Sequence, residues 1–130
     1  MYRPLGILLL VTLCSFATYA KDDVSLKELV ASNQSKLIKL SLGMTKNEVI
    51  ELMGTITATT HDGVVNNPWI AESFMDKDGT PYEVLFYVTK KNQPFTPIRK
   101  ALTTPVVLKD GKVIGWGESA LRATSAKGAH

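Results

Sequence analysis

The chain has 130 residues, 45% of them hydrophobic, with one cysteine, two histidines and 15 basic against 12 acidic side chains, a net charge of +3. That length supports one core and leaves no room for two full domains. A single cysteine excludes an internal disulfide, and a net charge this small says little about partners.

The N-terminus comes first. Arg3, an apolar run from Leu5 to Ala17 and the ending Thr18-Tyr19-Ala20 have the layout of a secretory signal cleaved after Ala20. As a membrane span the run is short, since a bilayer takes about 20 apolar residues; an uncleaved anchor is the competing reading. Cys14 lies inside this segment, so cleavage after Ala20 removes the only thiol. Lipidation of Cys14 is the rival use, although Leu13 is bulky where a small residue is expected before a lipidated cysteine. The folded domain is expected over residues 21–123, with residues 124–130 as a disordered tail.

Two helices follow. Ser25-Leu26-Lys27-Glu28 is a capping box with Val24 and Leu29 placed as a hydrophobic staple, and the spacing predicts a helix to about Lys36. Residues 43–54 hold a second set of signals: Thr45 as N-cap, Glu48 closing the box, Met44 and Val49 as staple, Gly54 as a left-handed stop. Each helix is too short to stand alone and needs a sheet to lie on.

From Thr55 to Pro68 the chain reads as a connection with turns at His61-Asp62-Gly63 and Asn66-Asn67-Pro68 and a short strand near residues 56–60. Then the period becomes two. Residues 69–75 and 82–88 flank a turn-rich spacer and predict a hairpin. In its second arm Tyr82, Val84, Phe86 and Val88 face one way and Glu83, Leu85 and Tyr87 the other. Lys90 to Thr104 reads as a loop with Phe95 and Ile98 turned inward. Residues 105–109 and 112–117 form a second hairpin through Asp110-Gly111, a pair that favours a type I′ turn. Pro105 suits a strand start, and Gly115 and Gly117 on either side of Trp116 suggest a strand bending around a large ring. The order predicts an α+β domain, with two helices on one face of an antiparallel sheet of three to four strands.

With Leu42-Gly43-Met44-Thr45-Lys46-Asn47-Glu48 through Gly54-Thr55, Asn67-Pro68, Tyr82 to Tyr87, Thr104-Pro105-Val106-Val107 and Gly115-Trp116-Gly117, the chain resembles the small envelope proteins of the BamE (SmpA/OmlA) type over roughly residues 40–120. The resemblance implies that two-helix-on-sheet fold and a non-enzymatic role in the Gram-negative envelope. It also implies support of outer-membrane protein assembly through partner proteins and anionic phospholipid. Ile56 stands where the family commonly has proline.

Catalytic chemistry has few candidates. His61 and Asp62 lack a third partner for a triad, and His130 ends the expected tail. Asp76, Asp78 and Gly79 resemble the start of a calcium loop, but Tyr87 stands where its twelfth-position glutamate belongs. Glu72 and Glu83 are candidate cross-strand carboxylates, and glycosidase chemistry would also need a cleft. No cofactor or metal is expected.

Binding remains. Residues 77–130 carry 9 basic and 4 acidic side chains, against 5 and 8 in residues 21–76. A solvated basic face is one explanation, and a surface for an acidic envelope protein or anionic phospholipid is the other; export argues against nucleic acid. The expected docking surface joins Leu85 and Tyr87 on the outer sheet face with Trp69, Lys90, Lys91, Arg99 and Lys100. Gly43, Met44, Thr45, Glu48, Gly54, Pro105, Gly115, Trp116 and Gly117 are expected to be structural. A second class of function is an inhibitor or sensor module that inserts the loop Lys90 to Thr104 into an enzyme cleft.

Overall fold

The computed structural model describes residues 23–128. The expected signal segment, Cys14 and His130 lie outside them. α1 (Leu26–Leu37) and α2 (Lys46–Met53) begin at the two capping boxes. Glu48 N–H donates to Thr45 Oγ1 at 3.2 Å and Thr45 N–H to the Glu48 carboxylate at 2.9 Å; Ser25 and Glu28 repeat the exchange at 3.1 Å. Each box satisfies donors that a helix start leaves free. Gly54 closes α2 at φ 81° and ψ 170°, the positive φ expected of a glycine stop with a ψ outside the left-handed helical range.

β1 (Asp23–Ser25), β2 (Thr57–Thr60) and β3 (Gly63–Val65) form a small sheet, β1 parallel and β3 antiparallel to β2. β4 (Ile70–Met75), β5 (Pro81–Val88), β6 (Thr103–Lys109) and β7 (Lys112–Trp116) form an antiparallel meander in sequence order. Asp110 and Gly111 have φ of 53° and 78°, the double positive that a type I′ turn requires. The Asp76 carboxylate accepts from the N–H groups of Asp78 and Thr80 at 2.8 and 2.9 Å. It closes the turn of the first hairpin.

β5 is buried on both faces, as its sequence demands. Leu85 and Tyr87 lie with Val106 and Leu108 beneath Val49 and Met53 of α2 and Leu37 of α1. Val84, Phe86 and Val107 form the opposite face. Leu29 and Val30 of α1 pack on Ala58, Val65 and Val88, so α1 joins the two sheets. Asn33 and Asn67, both buried, exchange amide hydrogen bonds at 2.9 and 3.0 Å. Asn33 also donates to Val88 O, and Asn67 to the carbonyls of Met53 and Gly54. This pair ties α1, the end of α2 and the 66–68 turn to β5.

Two expectations are corrected. The segment from residue 124, read as a disordered tail, is helical as far as Gly128, within α3 (Glu118–Gly128). α3 lays Ala120 and Leu121 over the Val84–Phe86 face that the two-helix arrangement would leave open. Covering this face removes apolar side chains from water, which is favourable. Gly115 makes the approach feasible: a Cβ there would meet the Ala120 Cβ at 3.0 Å. Among the described residues the fold is therefore α+β with three α-helices and two sheets. Trp116 is half-buried against the α2-side cluster. Among the described residues no helix is long and apolar enough to cross a membrane.

Candidate binding surface

The loop after β5 is held at both ends. Thr89 and Lys90 N–H groups donate to Leu102 O at 2.9 and 3.1 Å, Gln34 donates to Thr89 O at 2.8 Å, and the Thr89 and Thr104 hydroxyls share a 2.8 Å hydrogen bond. Within the loop, Thr96 N–H and hydroxyl both bond Gln93 O at 3.1 and 2.6 Å, and the Asn92 amide closes the turn on Thr96 O. This tight turn carries Phe95 at φ 63°, a left-handed backbone that a bulky side chain seldom adopts.

Phe95 corrects the reading of the loop. Expected to turn inward, it is 85% exposed, while Ile98 alone packs on the α1-side cluster. The Phe95 ring stacks on His61 with centroids 5.8 Å apart and planes at 27°. His61 rides the β2–β3 turn, which Thr60 shapes by accepting from Asp62 N–H at 3.1 Å and donating to Gly63 O at 2.9 Å. Behind the two rings lies a hollow of about 280 Å³, bordered by Lys27 from the first turn of α1, Lys91, Asn92 and Asp62. Beside it Trp69, half-buried, borders a second hollow of about 190 Å³ with Pro97 and Ile98. Lys90, Lys91 and Arg99 are exposed along the same loop.

The other expected site residues go elsewhere. Leu85 and Tyr87 are fully buried under α2 and cannot meet a partner. The face that the sequence offered as outward is the one the helices cover. The Tyr87 hydroxyl has no hydrogen-bond partner among the described residues, and burial pushes its pKa far above the tyrosine range. Lys100 is engaged internally: it pairs with Glu72 at 2.6 Å and lies 5.1 Å from the Phe86 ring centroid. Glu72 and Glu83 are not opposite each other. The register sets Glu72 against Val84 and Ser73 against Glu83, so the carboxylates fall on different faces, and Glu83 pairs with Lys46 at 2.8 Å.

The arrangement offers contact chemistry: an exposed aromatic pair with ammonium groups around it and a hollow behind. His61 meets a phenyl ring, where a base would need a nucleophile. Among the described residues no three histidine, aspartate or glutamate side chains gather as a metal set. Sequence reasoning missed Lys27 and His61 as members of this surface, because only tertiary packing brings the start of α1 and the β2–β3 turn to the loop. The sole local sign was the turn-prone Asn92-Gln93-Pro94 ahead of Phe95.

The family model described as protein of unknown function (DUF3192) matches residues 11–123, and the chain belongs to that family. No curated protein and no solved structure matches it.

Proposed function

We propose that this member of the DUF3192 family is a non-enzymatic binding protein of the bacterial cell envelope, exported by its N-terminal segment, and that it docks through the Lys90–Arg99 loop and the β2–β3 turn. The observation that carries the reading is Phe95, an aromatic ring 85% exposed on a left-handed backbone. Holding a large apolar ring in water on a strained backbone lowers stability, by about 1–3 kcal/mol for the strain alone. Such a feature is at home where aromatic anchors meet partners. Lys27 and Lys91 border the hollow behind the ring and Lys90 and Arg99 are exposed on the same loop, so the complementary surface is acidic with an apolar centre: an acidic envelope protein or the headgroup layer of an anionic membrane. Docking makes and breaks no covalent bond. A BamE-like relationship, and with it a part in outer-membrane protein assembly, is supported by α2 with its glycine boundaries lying on an antiparallel meander.

The test replaces Phe95 by serine and Lys90, Lys91 and Arg99 by glutamate, leaving Lys100 to its pair with Glu72. Retained folding with loss of partners crosslinked in intact cells is the expected result, and unchanged capture refutes it. Flotation with anionic and with zwitterionic vesicles separates lipid from protein as the partner. The exposed Phe95 also favours a second reading, an inhibitor that inserts this loop into an enzyme cleft. Tight binding to a purified periplasmic hydrolase, lost on Phe95→Ser, would establish it.

A further inference from the structure

Among the described residues β4 is an edge strand with none of the usual protections. It pairs with β5 in six regular steps without a bulge and contains neither proline nor lysine. Four of its six residues, Ala71, Glu72, Ser73 and Met75, are exposed. Natural edges are blunted by charge, proline, bulges or covering elements because an open ladder invites another strand. The one charge here, Glu72, is taken up by Lys100.

Hydrogen-bond parity shows which groups are free. Asp76 N–H donates to Thr80 O at 3.1 Å, continuing the register that sets Met75 against Pro81. Bonded pairs alternate in an antiparallel ladder, so Phe74, Glu72 and Ile70 turn their N–H and C=O groups toward β5. Ala71, Ser73 and Met75 therefore present theirs outward. Asp110 N–H bonding Pro81 O at 3.0 Å agrees, since Pro81 is then bonded toward β6 and not toward Met75.

We propose that β4 pairs antiparallel with β4 of a second copy about a two-fold axis at Ser73, joining the two meanders into one continuous sheet. Only registers that set outward-bonding residues against each other can form. Centring the pair on Glu72 would set Glu72 directly against Glu72 of the other copy, and centring it on Phe74 would set Glu72 against Asp76. Both oppose like charges on one face. Centred on Ser73, Glu72 lies across from Phe74, and the long Met75, 66% exposed, lies across from the small Ala71 twice over. The apolar hollow of about 390 Å³ along this end, with walls from Phe74, Met75, Pro81 and Tyr82, is flanked by the same pairing. The contact is isologous, so it closes at two copies and does not propagate.

The full chain is examined by sedimentation across a wide concentration range, with Ser73→Cys in a Cys14→Ser background for oxidative crosslinking. The expected results are a mass that doubles with concentration and a disulfide-linked dimer from Ser73→Cys. Ser73→Pro removes an N–H that points away from β5, so the strand should keep its fold and lose the dimer. Met75→Lys, at an exposed position, serves the same end if the proline variant fails to fold. A wild-type monomer at every concentration without crosslinked Ser73→Cys overturns the proposal. So does a dimer that survives both variants, or an edge filled only by a strand of a different protein.

Discussion

Tyr87→Phe should stabilise this domain, although it removes a polar group from the core. Tyr87 is 0% exposed and its hydroxyl finds no partner among the described residues. Burying an unpaired hydroxyl costs about 1–3 kcal/mol, and phenylalanine removes that cost while leaving a void of a single oxygen atom. A net gain of about 1 kcal/mol follows, a rise of about 4–8 °C in Tm for a domain near 100 residues. The pH dependence is a second signature. Burial holds the folded-state pKa above the usual value of about 10, so above that pH the unfolded chain binds fewer protons than the folded one. Stability is therefore intact below pH 10 and falls as pH rises beyond it, by up to about 1.4 kcal/mol per unit. The phenylalanine variant lacks this contribution, and its advantage should widen between neutral pH and pH 11. Urea unfolding followed by tryptophan fluorescence measures both quantities. A variant destabilised at pH 7, with a gap that does not widen in alkali, would refute the account by showing that the hydroxyl is hydrogen-bonded in solution.

Asn67→Ala should have the opposite sign. It removes one half of the reciprocal amide pair and leaves the buried Asn33 side-chain oxygen without its donor, while Asn33 keeps its bond to Val88 O, a loss of about 3 kcal/mol measurable by the same unfolding assay. Leu85→Ala should cost about 2–5 kcal/mol, and Phe95→Gly should leave stability equal or higher because it relieves the left-handed backbone. Equal losses for the two would refute the placement of one inside and the other outside. Gly115→Ala should loosen α3 and speed proteolysis after Arg122, and adding Ala120→Gly should restore protection by removing the Cβ that the new one would meet at 3.0 Å. Faster cleavage in the double variant would show that the contact is not what seats the helix.

Local signals in this chain were sufficient for local elements. The Ser25–Glu28 and Thr45–Glu48 boxes act over three residues, and the Asp110-Gly111 turn over two, so both helix starts and the second hairpin were legible before any packing was known. Period-two alternation likewise assigned Leu85 and Tyr87 to one face and Val84 and Phe86 to the other, because successive side chains of a strand point to opposite sides. Alternation cannot say which face is covered by what. That depended on α1 and α2 taking the Leu85–Tyr87 side and on α3, a segment of weak apolar pattern, taking the other over the space left by Gly115. The binding surface was still less visible, since Lys27, His61 and Phe95 are far apart along the chain and meet only where the first turn of α1, the β2–β3 turn and the loop after β5 converge. Capping, turns and strand periodicity are set by neighbours in sequence, whereas burial and site assembly are set by neighbours in space.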